Sequence, residues 1–200
     1  MADFLLFGPH AAGKTQLYHS LKGLDYNDPQ QTSQADYKVK KDTLWGWIGL
    51  SKFTIHEIGG KDIYLYDKEF LHQAFVSNSK LVFVFNGNDL INELKNYKQG
   101  GQISALLKCY VMPALMGKDD DLNCQQDIFF IATHEDEYYG TERDMETELF
   151  TCLEKANEEY RKVANGTRYP FKKLLRGNLF CVDATDSAQV SKIFKNINNS

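Results

Sequence analysis

The chain has 200 residues, of which 42% are hydrophobic and 25% charged, shares that are ordinary for a soluble globular protein. This length suits one domain spanning residues 1–200. Lys and Arg total 23 against 27 for Asp and Glu, and the net charge of -4 argues against a protein that coats nucleic acid. We therefore expect no nucleic-acid partner.

The first predicted element is a short buried strand at 4–7, and a helix is predicted soon after it, with Leu17 and Leu21 on one face. Between them, the residues from Gly8 to Thr15, GPHAAGKT, match G-x-x-x-x-G-K-[ST] at every fixed position. Strand, glycine loop and helix in this order are the context of a P-loop, whereas an accidental glycine turn is the alternative. We interpret the segment as a phosphate-binding loop.

The chemistry of phosphate binding explains this spacing. A loop around phosphates aims several backbone N–H groups inward, which requires small residues or glycine, and the following helix adds its positive N-terminal end. Lys14 is expected to reach the β- and γ-phosphates, and the Thr15 hydroxyl is expected to bind Mg²⁺.

The later elements alternate between strands and helices. A two-stranded hairpin is predicted at 35–47 and 50–58, and further strands at 80–86, 127–132 and 178–182. Helices are predicted at 67–77, at 90–115 with an interruption at Gly100-Gly101, at 142–164, and at 187–197 with Ser187 as its N-cap. This order predicts an α/β, P-loop NTPase fold with a mostly parallel central sheet of about six strands and helices on both faces.

Polar residues follow four of the predicted strands, at the edge where such sheets bind ligands. They are the P-loop, Glu57-Ile-Gly-Gly60, Thr133-His-Glu-Asp136 and Asp183-Ala-Thr185. With these segments the chain resembles the Ras-like small GTPases over about residues 3–197. The Gly-Gly pair and the Asp183-Ala184-Thr185 segment are most similar to the ADP-ribosylation-factor-like branch.

The resemblance implies a role for each segment. Glu57 would hold Mg²⁺ through water, and the backbone N–H of Gly60 would meet the γ-phosphate. Asp136 would accept hydrogen bonds from N1 and N2 of guanine, a donor pair that adenine lacks. Thr32, in a polar loop, is the candidate switch threonine that senses the γ-phosphate and binds Mg²⁺, and Thr43 is the runner-up.

The implied nucleotide-binding set is therefore Gly8, His10, Ala11, Ala12, Gly13, Lys14, Thr15, Gln16, Thr32, Gly60, Thr133, His134, Asp136, Ala184 and Thr185. The implied metal ligands are Thr15, Thr32 and Glu57. Three of these positions have plainer readings, since Asp136 could be a solvated charge, His134 a surface histidine and Thr185 a helix cap.

Three departures from the family pattern bear on hydrolysis. Lys61 stands where the family has the glutamine that orients the attacking water, and an ammonium cannot both donate to and accept from water. His10 occupies a loop position that is often small, and Glu57 is one methylene longer than the usual aspartate. We treat Lys61 as the candidate catalytic residue.

These observations favour a guanine-nucleotide-binding, Mg²⁺-dependent switch that hydrolyses GTP slowly and acts on a protein effector. A pseudo-GTPase interaction module is an alternative, and a P-loop small-molecule kinase is a further one. The kinase is disfavoured because the chain has four arginines, all in its last third. Four scattered cysteines have neither CxxC nor zinc-ligand spacing, and they favour reduced thiols in a cytoplasmic protein over disulfides. No direct membrane anchor is expected.

Overall fold

The computed structural model describes residues 2–22, 40–44, 53–57, 80–95, 101–107, 127–136, 138, 144–164 and 171–200. The strands in these ranges are β1 (Ala2–Phe7), β2 (Lys40–Leu44), β3 (Phe53–Glu57), β4 (Lys80–Asn86), β5 (Asp127–Thr133) and β6 (Leu179–Cys181). The helices are α1 (Lys14–Lys22), α2 (Gly87–Lys95), α3 (Gln102–Leu106), α4 (Met145–Ala164), α5 (Phe171–Asn178) and α6 (Ser187–Asn199).

The strands form one sheet in the order β2-β3-β1-β4-β5-β6. Every neighbouring pair is parallel except β2 and β3, which are antiparallel as the predicted hairpin requires. In the register of the sheet, Leu6 lies beside Glu57 and Asn86 lies beside Thr133. The carboxyl ends of the parallel strands therefore meet at one edge, where the predicted site lies.

The central strands have continuous apolar sequences because both faces of the sheet are covered by helices. Alternate residues of β4 point to opposite faces, so Phe83 packs with α2, α3, α4 and α5, whereas Val82 packs with α1 and α6. The predicted stripe of α4 is buried on the first of these faces and consists of Met145, Leu149, Leu153 and Ala156. The α/β class with helices on both faces is confirmed.

Two helix starts differ from the prediction. The helix predicted to start at residue 90 begins three residues earlier, at Gly87, because the Asn86 side chain accepts a hydrogen bond from the Asp89 N–H and caps the helix. At α6 the N-cap is Asp186, not Ser187, because the Asp186 carboxylate accepts from the N–H groups of Ala188 and Gln189.

Helix α5 was not predicted, and the predicted helix at 90–115 is divided. Its described parts are the end of α2 and all of α3, and Gly101, one of the two predicted interrupting glycines, is the N-cap of α3. The predicted helix at 67–77 and the predicted hairpin turn lie outside the described residues. Among the helices that the structure describes, none has the length and apolar character needed to cross a bilayer.

Candidate nucleotide site

The loop after β1 is a tight turn in which three residues have positive φ angles. Gly8 and Gly13 have φ angles of 151° and 79°, and Ala11 has a φ of 58° in the left-handed region that non-glycine residues seldom adopt. A Cβ atom at Gly8 would collide with the carbonyl oxygen of Val84 in β4. Glycine is therefore required where the chain leaves the sheet, and the matched motif position has a structural cause.

Lys14 is buried, with 5% of its surface exposed, although it is charged. Its ammonium group donates hydrogen bonds to the carbonyl oxygens of Gly8 at 3.1 Å and Pro9 at 2.7 Å. These bonds hold the charge against the loop and offset part of the cost of burying it. The arrangement keeps a fixed positive charge at the loop, which suits an anionic ligand.

Thr133, the last residue of β5, is fully buried and connects this loop to the next strand end. Its hydroxyl oxygen lies 3.1 Å from the carbonyl oxygen of Ala12, 3.2 Å from that of Phe85 and 2.9 Å from Nδ1 of His134. A hydroxyl has one proton, so it donates to one of the carbonyl oxygens at a time. Thr133 thus contacts both the P-loop and β4, and these contacts set the distance between the P-loop and the end of β5.

The segment after β5 continues through His134, whose φ of 63° is also left-handed. Its carbonyl oxygen accepts a hydrogen bond from the Asn88 side chain of α2 at 3.2 Å. Asp136 is exposed, so its carboxylate is accessible at the same edge. Partial burial, and then the nearby carboxylates of Glu146, Asp144, Asp183 and Asp136, raise the pKa of Glu135.

The segment after β6 forms a self-contained turn. The Asp183 carboxylate accepts hydrogen bonds from the N–H of Thr185 at 2.8 Å and from its hydroxyl at 2.7 Å. Thr185 therefore does not cap α6, and Asp186 does. Ala184 is nearly buried, and its carbonyl oxygen accepts a hydrogen bond from Ser20 of α1 at 2.6 Å.

The expected metal ligands are described only in part. Thr15 is half-buried at the start of α1, and Glu57 ends β3 beside Leu6, so both lie at the carboxyl edge of the sheet. Thr43 instead lies inside the β2–β3 ladder, paired with Thr54. Within the described ranges no cluster of three or more His, Cys, Asp and Glu side chains could hold a metal ion. Thr32, Gly60 and Lys61 lie outside those ranges.

A cavity of about 220 Å³ lies beside the P-loop. The exposed side chain of His10 lines it, together with Pro9, Ala12 and residues of β4, α2 and α3. His10 therefore stands on the outer side of the loop, toward α2.

The fold thus brings the P-loop, the Thr133–Asp136 segment and the Asp183–Thr185 segment to one edge. Ser20 and Asn88 were missed at the sequence level, although each holds a carbonyl group of a predicted site loop. Their partners lie 164 and 46 positions away, so no local motif could have marked them. The contacts exist only because α1 and α2 pack on the sheet.

No protein-family model and no curated protein matches this sequence. Solved structures do match it, at low identity. A probable GTP-binding protein, engB, is 13% identical with a TM-score of 0.60, and all of both chains is covered. The mammalian SRP receptor is 16% identical with a TM-score of 0.65, covering 98% of this chain and 99% of that one.

A third match is Roco2 of Methanosarcina barkeri bound to GDP, which is 14% identical with a TM-score of 0.51. The alignment covers 99% of this chain and 48% of that one. These three structures do not single out the ADP-ribosylation-factor-like branch, so that closer assignment stays a prediction. The chain has the fold of the P-loop GTPases.

Proposed function

We propose that this protein is a guanine-nucleotide-binding switch of the small-GTPase type, dependent on Mg²⁺ and slow in hydrolysis. The observation that carries the proposal is the Thr133 hydroxyl, which lies within hydrogen-bond distance of both Ala12 of the P-loop and His134 of the next loop. A ligand with phosphates at one end and a base at the other needs these two loops at a fixed separation.

The phosphate end would be held by Lys14 and the backbone N–H groups of the P-loop. The base end would be read by Asp136, which is exposed at the same edge and matches two donors of guanine but none of adenine at those positions. Ala184 and Thr185 would meet the guanine oxygen. This division predicts that GTP and GDP bind and that ATP does not compete.

Mg²⁺ would be held by oxygen ligands, which it prefers, from Thr15, Thr32 and Glu57. When bound, the ion would neutralise charge on the β- and γ-phosphates. Thr15 and Glu57 both lie at the carboxyl edge of the sheet, and this position supports the role. A protein effector, a cytoplasmic location and membership of the ADP-ribosylation-factor-like branch belong to the same proposal.

The test is to identify by mass the nucleotide released from freshly purified protein, followed by calorimetry with GDP, GTP and ATP in Mg²⁺. Lys14→Ala should lower the affinity for GDP at least about tenfold, because it removes charge-assisted hydrogen bonds of about 1.5–3 kcal/mol each. Lys192→Ala, which removes an exposed lysine of α6, is the matched control and should bind as the wild type does. Equal competition by ATP and GTP would contradict the guanine role of Asp136.

A pseudo-GTPase is the second candidate, favoured by Lys61 in the position of the family glutamine. It would use the same fold as an interaction surface and would turn over no GTP. Nucleotide release separates the candidates, because a switch must bind GDP as well as GTP. Phosphate release from preloaded protein then decides whether the bound GTP is hydrolysed at all.

A further inference from the structure

Ser20 connects the helix that starts at the P-loop with the loop that follows β6. It lies later in the helix than Lys14 and is buried, with 5% of its surface exposed. Helical serines often bond back to the carbonyl group one turn earlier in their own helix. The Ser20 hydroxyl instead reaches the Ala184 carbonyl oxygen at 2.6 Å, across 164 positions of sequence.

The direction of this hydrogen bond is fixed by its partners. A carbonyl oxygen only accepts, so the Ser20 hydroxyl must donate to Ala184. The lone pairs of Ser20 then face the side-chain amide of Gln16, whose Nε2 lies 3.5 Å away. Gln16 thus turns its nitrogen toward Ser20, and its Oε1 is buried without a hydrogen-bond partner among the described residues.

Among the described residues, the other hydrogen bonds of this turn come from the turn itself, from Gln189 of α6 and, through Val182 at its start, from Ala132 and Glu135. Thr185 bonds to the Asp183 carboxylate, and the Asp186 N–H donates to the Asp183 carbonyl oxygen at 3.0 Å. These bonds fix the shape of the turn and join its start to the end of β5, but none of them joins it directly to α1. The Ser20 hydrogen bond joins the turn to α1, and α1 begins at Lys14 of the P-loop.

We propose that Ser20 is a positioning residue that sets base selectivity by holding the Ala184 peptide in register with the P-loop. The inference rests on the proposed function, in which the backbone N–H of Ala184 would donate to the oxygen at C6 of guanine, since the Thr185 N–H is bound to the Asp183 carboxylate. Loss of the Ser20 hydroxyl should let this peptide move. Contacts to the C6 oxygen should then weaken, while contacts to the phosphates are kept.

The experiment compares the affinity of GDP with that of 2-aminopurine riboside 5′-diphosphate, which has the same phosphates and 2-amino group but lacks the oxygen at C6 and, with it, the N1–H of guanine. Ser20→Ala should lower the affinity for GDP roughly three- to tenfold, the equivalent of one hydrogen bond, and leave the affinity for the analogue unchanged. Ser20→Cys keeps nearly the same volume with a weak donor and should show the same selective loss. Ser191→Ala, which removes a half-buried hydroxyl from α6, is the control and should change neither affinity.

The ratio of the two affinities cancels any loss of folded protein, so general destabilisation cannot imitate the expected result. An equal loss for both nucleotides, or no loss for either, would overturn the positioning role while leaving the proposed function intact. Failure of the wild-type protein to bind GDP in the same titration would overturn the proposed function and this inference with it.

Discussion

Thr133 illustrates how much of this site depends on single side chains. A hydroxyl is small enough to be fully buried between two loops and can still meet three polar neighbours. A larger amide would need more space beside Ala12, which is itself buried. Gly8 is constrained by size in the same way, because any Cβ atom there meets the backbone of β4. The geometry of the loop is therefore decided by the size of a few residues.

Glu135 is expected to make the stability of the fold depend on pH. Partial burial, and then four neighbouring carboxylates, raise the pKa of Glu135 in the folded protein above the unfolded value, so the folded state binds the proton more tightly. Its contribution to stability is present at low pH and is lost as the pH rises through the raised pKa. At neutral pH the ionised side chain therefore destabilises the fold.

Glu135→Gln should accordingly raise the melting temperature of the nucleotide-free protein at pH 7, and the gain should shrink toward pH 4. Thermal unfolding at several pH values measures this directly. Glu158→Gln, an exposed position on α4, serves as the control for a change of net charge. A gain for Glu135→Gln that is the same at pH 4 and pH 7 would contradict the electrostatic cause.

Helices α2 and α3 are joined by a carboxylate rather than by apolar packing alone. Glu93 of α2 accepts hydrogen bonds from the backbone N–H groups of Ile103 and Ser104 and from the Ser104 hydroxyl. It therefore satisfies N–H groups at the start of α3 that have no partner inside the helix. The Gly101 cap has no side chain, which leaves the space that the Glu93 side chain crosses.

Gly101→Ala should destabilise the protein by about 1–3 kcal/mol, because the new Cβ would displace the Glu93 carboxylate and leave buried N–H groups unpaired. Gly177→Ala in α5 is the matched control, since a Cβ there meets nothing within 4 Å. It should stabilise the helix by about 0.5–1 kcal/mol. Urea unfolding of both variants measures the difference. Equal effects at the two glycines would contradict the role of Glu93.

At the scale of the whole molecule, the sheet places three separate segments at one edge. The register puts Leu6 beside Glu57 and Asn86 beside Thr133, so the loops that follow start at nearly the same height. Hydrolysis of GTP would need a further group to orient water at that edge. Lys61, His10 and Glu57 are the residues at which this sequence departs from the pattern of the small GTPases that it resembles.

We expect phosphate release from GTP-loaded protein to be no faster than about 10⁻⁴ s⁻¹, the order of an unassisted small GTPase. A lysine meets developing negative charge but cannot orient water as an amide does. Lys61→Gln should therefore raise the rate modestly, since His10 and Glu57 remain. Single-turnover measurement in saturating Mg²⁺ provides the test. A wild-type rate near roughly 1 s⁻¹ without a partner would contradict the expectation.

The P-loop and the central strands could be predicted from the sequence because their causes are local. GPHAAGKT needs its glycines for its own backbone, and β4 and β5 are continuous apolar runs because both of their faces are buried. The order of strands and helices then implied a mostly parallel sheet. Helix α5 escaped prediction because its eight residues, FKKLLRGN, are too few to establish a helical period.

The contacts between the loops were decided by the tertiary structure alone. The Thr133–Ala12 and Ser20–Ala184 hydrogen bonds join residues 121 and 164 positions apart. Serine and threonine occur throughout any chain, so their type and local spacing carry no sign of such partners. The partners meet because the packing of α1, α6 and the sheet brings their backbones together. The P-loop motif is thus determined by one short stretch of sequence, whereas the alignment of the loops around it depends on the packed fold.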